Sequence, residues 1–165
     1  MKQTALVLAL VLAAGAVQAQ IKVEQPWTRA TAPSAQNGAA FMTLVNPAGS
    51  PAERLLAAES SVAKTVELHN QVMDGNVMRM RKVDGIDVKP GESVKLDPMG
   101  LHVMFLGLTA PLKEGSSVPI TLVFQRAGRI EIKAEVAKAG AGGPGMGGAM
   151  GGQHQHMHHA PSKTD

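Results

Sequence analysis

Short strand-like runs separated by turn residues fill the sequence from 21 to 138. The runs read IKVEQPWTRA, AAFMTLVN, ERLLAAES, VAKTVELHNQVM, NVMRMRKV, SVKLD, LHVMFLGL, VPITLVFQ and RIEIKAEVAK, and turn residues punctuate them at 47–51, 89–91, 97–100 and 127–128. In the last run, Ile130, Ile132, Ala134 and Val136 recur at every second position, the period of a strand with one buried face. No segment has a convincing helical pattern. The sequence therefore predicts an all-β domain, an antiparallel Greek-key β-sandwich or barrel.

The chain divides into three segments. Residues 1–19 combine Lys2, an apolar run and the small-residue site Val17-Gln18-Ala19, which predicts a secretory signal peptide cleaved before Gln20. That apolar run is too short to span a bilayer, and no later run is long enough, so we expect no membrane span in the mature chain and a periplasmic location. Residues 20–138 form one domain, large enough to bury its own core. Residues 139–165 form a separate tail.

Composition excludes several classes of function. Without Lys2 the 16 basic residues become 15, against 13 acidic ones, and the mature net charge is +2. There is no cluster of lysine and arginine and little aromatic surface for stacking bases, so nucleic-acid binding is not expected. The absence of cysteine removes disulfides and excludes a blue-copper site with a thiolate ligand. No catalytic set emerges either, and we expect the protein not to be an enzyme.

Histidine and methionine are concentrated in the stretch 69–104. Of the six histidines in the sequence, only His69 and His102 precede the tail, and this stretch also holds Met80 and Met104. Imidazole nitrogen combined with thioether sulfur, in the absence of thiols, suits Cu(I). These four residues, which we call the quartet, are the candidate ligands of one copper ion.

Strand geometry predicts how the quartet could converge. Asp74-Gly75 lies between two strand-like runs and predicts a two-residue hairpin loop. With those residues as the loop, His69 lies directly opposite Met80, at a Cβ separation of about 4.5–5.5 Å. His102 and Met104 are two residues apart on one strand and therefore share a face. A slip of one residue in the hairpin register would separate the first pair.

The remaining methionines and the single tryptophan have structural interpretations. Methionine is a common core filler, so Met42, Met73, Met78 and Met99 are expected in the core or beside the ligands, not as ligands themselves. Trp27 is expected to be a packing residue. Arg79 and Arg81 alternate with Met78 and Met80 and should form a solvated face.

The spacing His69, ten residues, Met80, twenty-one residues, His102, one residue, Met104 resembles the signature of the periplasmic copper chaperones of the PCu(A)C type. The segments PWTRAT, NGAAFMTLVN, MDGNVMRMRKVDG and LHVMFLGLTAPLKEGSSVPITLVF are similar to that family too, and the likeness covers 21–137. It implies a cupredoxin-like β-sandwich with the quartet as Cu(I) ligands. It also implies delivery of copper to the CuA centre of cytochrome c oxidase, with subunit II or another assembly factor as the acceptor.

The tail begins with a tether, 139–152, in which eight of fourteen residues are glycine. Such a segment buries too little apolar surface to order itself and is expected to be disordered. It leads to a cluster of possible Cu(II) ligands, with Zn(II) and Ni(II) as competitors. The cluster comprises His154, His156, Met157, His158 and His159. The alternative is a tail that only adds solubility.

Two other functions stay open at this point. One is a periplasmic copper-buffering or resistance protein without a dedicated acceptor. The other is a structural or adhesion β-domain whose tail is incidental.

Overall fold

A computed structural model describes residues 20–143, and within this range the secondary structure consists of strands and turns without an α-helix. The predicted signal peptide and the tail histidines lie outside the described residues. The ten strands are β1 (Lys22–Arg29), β2 (Asn37–Val45), β3 (Glu53–Glu59), β4 (Ala63–Asp74), β5 (Val77–Lys82), β6 (Ile86–Val88), β7 (Ser93–Leu96), β8 (Leu101–Leu108), β9 (Ser117–Phe124) and β10 (Gly128–Ala137). The prediction of an all-β domain is confirmed. The short strand β6 was not among the predicted runs.

The strands form one mixed sheet in the order β5-β4-β8-β2-β1-β10-β9-β3-β6, and β7 pairs with β2 off this path. All of its pairings are antiparallel except that of β1 with β10, which is parallel. The sheet is bent around a common core, so β3 also contacts β4 although the two strands are far apart in the order. The cupredoxin-like β-sandwich that the resemblance implied matches this architecture.

Alternation along the strands separates the core from the outer face. On β8, Val103 and Phe105 are fully buried in the core, as are Leu44 on β2 and Leu122 on β9. His102 and Met104, at the intervening positions of β8, therefore face the other side of the sheet. The predicted inward face of β10 is also confirmed, since Ala134 and Val136 are buried in the core.

The hairpin of β4 and β5 has a different register from the predicted one. Its loop is Gly75-Asn76, not Asp74-Gly75, and Met80 pairs with Gln71. The prediction that His69 lies directly opposite Met80 is thus wrong, because Lys82 takes that position. The physical reason is the turn. Gly75 has a φ of 63°, and glycine at the first loop position suits the type II′ turn of two-residue hairpins.

The register shift is two residues, so every side chain stays on its predicted face. His69 and Met80 remain on the same side of the hairpin, as diagonal neighbours in successive pairs of that side. Arg79 and Arg81 lie on the opposite side, exposed as predicted, where both approach the carboxylate of Asp74.

Candidate metal site

The quartet lies on the outer face of the sheet, across three neighbouring strands. Met80 is on β5, His69 on β4, and His102 and Met104 on β8, and these strands are adjacent in the sheet. His69 and His102 are cross-strand partners, with ring centroids 5.9 Å apart. Two histidines that are 33 positions apart in the chain are therefore direct neighbours. No pattern in the sequence predicted this pairing.

His102 is held in one orientation by the loop that precedes β8. Its Nδ1 lies 2.9 Å from the carbonyl oxygen of Gly100, and since a carbonyl only accepts, Nδ1 carries the proton and donates. In the neutral ring, Nε2 then has a lone pair available for a metal ion. The same carbonyl accepts a hydrogen bond from the backbone N–H of Gln71, which ties the loop to β4. The residue is only 2% exposed, and this burial lowers the pKa of His102 and favours the neutral ring.

His69 is oriented by a carboxylate. Its Nε2 lies 2.8 Å from Oε2 of Glu67, so Nε2 donates, and its other nitrogen, Nδ1, is buried without a hydrogen-bond partner. A buried nitrogen without a partner costs free energy, and a bound cation would satisfy it. Carboxylate–histidine pairs of this kind fix the orientation of the ring in metal sites.

Glu67 was missed by the sequence analysis. A signal was available, because Glu67 is two residues before His69 on a strand and so shares its face. The other oxygen of Glu67 accepts a hydrogen bond from Lys82 at 2.9 Å. The hydrogen bond with His69, followed by that with Lys82, lowers the pKa of Glu67. The carboxylate is therefore ionised at neutral pH, and its charge is shared between an imidazole and an ammonium group.

The two thioethers and His102 border one surface pocket of about 300 Å³. Met80 is 57% exposed and Met104 is partly buried. Ala39 pairs with Met104 across β2 and β8, and its small side chain leaves room beside the sulfur. The side chain of His69 does not line this pocket. It lies next to the ring of His102, with the ring centroids 5.9 Å apart.

A layer of two aromatic rings, on β1 and β2, lies next to His102. Trp27 and Phe41 are both buried and lie 4.7 Å apart, and Phe41 lies 6.4 Å from the ring of His102. The guanidinium of Arg29 stands 5.8 Å from both rings, and its Nε donates a hydrogen bond of 2.7 Å to the carbonyl of Ala141. Trp27 is thus a packing residue, as predicted. The start of the tether runs over this layer.

The other methionines occupy two kinds of environment. Met42 is buried in the core, as predicted. Met73, Met78 and Met99 are exposed, so of the two positions predicted for them the core is excluded and a position beside the ligands stays a prediction. For Met73 and Met78 the reason is topological, since β5 is an edge strand and the tip of its hairpin extends beyond the core. Met99 lies in the turn before β8.

The donor set fits a soft monovalent metal ion. The described residues provide one imidazole with an unpartnered buried nitrogen, a second imidazole oriented through its Nδ1–H, and two thioethers. Imidazole and thioether together select Cu(I) over hard cations. In the part of the chain that the structure describes, no three His, Cys, Asp or Glu side chains are grouped so that they could hold a metal ion.

Comparison with known proteins gives two kinds of relative. The model of a family described as "Putative lipoprotein LpqE-like" matches residues 21–136. "Putative lipoprotein Lxx21020" of Leifsonia xyli subsp. xyli is 31% identical over 105 residues, which are 63% of this chain and 61% of that relative. The match thus spans less than two thirds of the relative's own length. Among residues 20–143, no helix is long and apolar enough to cross a membrane.

Solved structures with the same fold are copper-binding domains. The copper-bound PCuAC domain from PmoF2 is 28% identical, with a TM-score of 0.62 over 74% of this chain and 97% of that domain. The solution structure of Cu(I)-DR1885 from Deinococcus radiodurans is 30% identical, with a TM-score of 0.60 over 75% and 83% of the two chains. The apo PCuAC domain from PmoF1, at 24% identity and a TM-score of 0.63, shows the fold alone. The predicted resemblance to PCu(A)C proteins is confirmed.

Proposed function

The chain belongs to the LpqE-like family, and from that premise we propose that it is a copper chaperone whose folded domain carries one Cu(I) ion. The quartet supplies the ligands. His69 binds through Nδ1, His102 through Nε2, and Met80 and Met104 through their sulfur atoms. The observation that carries the proposal is the buried Nδ1 of His69, which has no partner within the described residues and stands beside His102.

The oxidation state follows from the ligands and from the local charge. All four ligands are neutral, and the nearest carboxylate, Glu67, is already paired with Lys82. A partly buried site of this kind offers little compensation for a second positive charge. Thioethers also prefer the softer ion. Cu(I) is therefore the cargo, and Cu(II) is disfavoured in the quartet.

The half-exposed position of Met80 suits transfer of the ion to another protein. We propose that the acceptor is the CuA centre of cytochrome c oxidase during its assembly, reached directly through subunit II or through another assembly factor. A periplasmic copper-buffering protein would use the same site without such an acceptor, and this is the second candidate. The copper-bound PCuAC domain from PmoF2 and Cu(I)-DR1885 favour copper binding for both candidates and do not distinguish between them.

Export to the periplasm remains part of the proposal, through the signal peptide of residues 1–19. The family is described as one of putative lipoproteins. Attachment of lipid through sulfur requires a cysteine, and the 165-residue sequence has none.

The tail has its own proposed role in gathering Cu(II). Its imidazoles at His154, His156, His158 and His159, with Met157 beside them, suit Cu(II). The tether leaves the domain at the aromatic layer, where Gly143 comes so close that a Cβ there would lie 3.5 Å from the Trp27 ring. Linked sites meet intramolecularly, which raises the effective concentration of tail-bound copper near the domain. Truncation after Gly143 should abolish most Cu(II) binding and leave Cu(I) binding unchanged, as measured by isothermal titration.

The quartet is tested by substitution in the full mature chain, with the four tail histidines replaced by alanine in every sample. Competition with a small-molecule Cu(I) chelator should show one Cu(I) bound, and X-ray absorption should show thioether sulfur. His102→Ala and Met104→Leu should each lower the affinity at least about tenfold, since even partners that merely orient a ligand are worth that much. Met42→Leu, a substitution on the core side of the same sheet, is the control. Unchanged affinity in both quartet variants would refute the site.

Delivery and buffering are separated in cells. Deletion of the gene should lower the copper content of purified cytochrome c oxidase, and the wild-type gene should restore it while the His102→Ala gene should not. If the oxidase keeps its full copper content after the deletion and only copper tolerance falls, the protein is a buffer.

A further inference from the structure

Exposed methionines are concentrated at one end of the β4–β5 hairpin. Six large apolar side chains are exposed among the described residues, and four of them are methionines, at positions 73, 78, 80 and 99. Met80 belongs to the quartet. Met73 is 61% exposed and Met78 is 42% exposed, and neither contributes to the core. Burial of apolar surface therefore does not explain why these two positions carry thioethers.

Met73 and Met78 form a cross-strand pair. They are direct partners in the ladder, in the second pair from the Gly75-Asn76 loop, so their Cβ atoms are about 4.5–5.5 Å apart. This pair, which we call the outer pair, lies on the same face as Gln71 and Met80, the next pair with the same orientation. His69 and Lys82 follow after two more residues. On this face of the hairpin, methionine sulfur thus occurs in two successive pairs, and the pair that follows them contains His69.

One contact directs the outer pair towards the quartet. The side-chain amide of Gln71 donates a hydrogen bond of 3.6 Å to the sulfur of Met78. Gln71 stands directly opposite Met80, so the sulfur of Met78 is drawn along the hairpin towards Met80. Two residues of a strand span about 6.8 Å, a distance that two flexible thioether side chains can bridge between them.

We propose that the outer pair is a second, weaker Cu(I) site through which the ion enters and leaves the quartet. This inference rests on the proposed function, because the inner end of the path is the quartet. Two thioethers suit Cu(I) but leave it with few ligands, so the ion is held briefly. Met80 then exchanges the ion inwards to His69 and His102. His102 is almost fully buried, so an ion from solvent has little direct access to its ring, whereas the exposed methionines can bind the ion first.

The test uses the full mature chain with methionine methyl groups labelled for NMR and the four tail histidines replaced by alanine. Anaerobic addition of Cu(I) should shift the methyl signals of Met80 and Met104 with the first equivalent and those of Met73 and Met78 with further Cu(I). The double variant M73L/M78L keeps two exposed side chains of similar volume. Its Met80 and Met104 signals should still shift with the first equivalent, and chelator competition should show that the second, weaker Cu(I) is no longer bound.

Kinetics then decide whether the outer pair is a path. In M73L/M78L, loading from a Cu(I)–chelator complex and release to excess chelator should both slow several-fold, while the affinity for the first ion stays the same. A group that lies on the path changes both rates together and leaves the equilibrium unchanged. Met99→Leu, which removes another exposed thioether outside the hairpin, is the matched control and should keep wild-type rates.

The outcomes are distinct from those that test the quartet. Methyl signals of Met73 and Met78 that never move with Cu(I) would overturn the outer site. Shifts at the outer pair with wild-type rates in M73L/M78L, or equal slowing in Met99→Leu, would overturn the path. If Met80 and Met104 fail to shift, the quartet and the path are both refuted, and shifts at Met73 and Met78 would leave the outer pair as an isolated site.

Discussion

Glu67 offers the sharpest test of how the site is built, because it touches no metal ion and acts through His69. Its Oε2 accepts the hydrogen bond of His69 Nε2 at 2.8 Å, and its Oε1 accepts that of Lys82 at 2.9 Å. Glu67→Gln keeps an oxygen for the imidazole and removes the negative charge. Glu67→Leu removes both the charge and the acceptor, so the ring of His69 is free to turn and its Nδ1 is no longer aimed at the site.

The expected loss follows from the role of such partners. Removing a group that orients a metal-bound histidine costs about 10- to 100-fold in affinity. We expect Glu67→Leu to approach the upper end, about 100-fold, and Glu67→Gln to lie near the lower end, about 10-fold. Lys82→Gln removes the competing partner of the carboxylate and should leave the Cu(I) affinity unchanged or raise it.

The assay is competition with a Cu(I) chelator, with thermal unfolding to show that each variant is folded. Glu59→Leu is the matched control, since Glu59 is also an ion-paired strand carboxylate, 2.7 Å from Arg129, but lies on β3 away from the site. Wild-type affinity in Glu67→Leu would refute the role of the carboxylate. Equal losses in Glu67→Leu and Glu59→Leu would mean that the effect is a general one of charge.

Three further predictions concern pH and stability. Burial lowers the pKa of His102 in the folded protein. As the pH falls below the ordinary histidine value of about 6.5, the unfolded chain therefore binds a proton before the folded protein does. The apo protein should lose stability from about pH 6.5 down through the folded pKa, and His102→Leu should remove this pH dependence in urea unfolding. Cu(I) binding should also weaken between about pH 7.5 and about pH 5, because imidazoles must be neutral to act as ligands. An affinity that does not change with pH in chelator competition would argue against imidazole ligation. Glu53 is buried and accepts hydrogen bonds from the backbone N–H groups of Arg54, Arg126 and Ala127. Glu53→Ala should therefore lower the free energy of unfolding by about 2 kcal/mol or more, since each unsatisfied group costs about 1–3 kcal/mol. Glu53→Gln should lower it by less. Equal stability of wild type and Glu53→Ala would refute the argument.

The face on which each candidate ligand lies could be read from the sequence. A strand repeats every two residues, so the side of His69, Met80, His102 and Met104 was determined once the strands were recognised. The predicted partner of His69 was wrong by two residues because the turn uses Gly75 at its first position. That error left the faces intact, since a slip of two residues preserves the alternation. The buried face of β10 was predictable for the same reason.

Only the tertiary structure decided which strands are neighbours. The pairing of β4 with β8 brings His69 beside His102, and the pairing of β1 with β2 places Trp27 against Phe41, which lies near His102. Such contacts join residues distant in sequence, and local patterns carry no information on the order of strands in a sheet. Burial is decided at the same level. His102 is covered by the loop before β8, whereas Met73 and Met78 are exposed because β5 is an edge strand with no further strand beyond it.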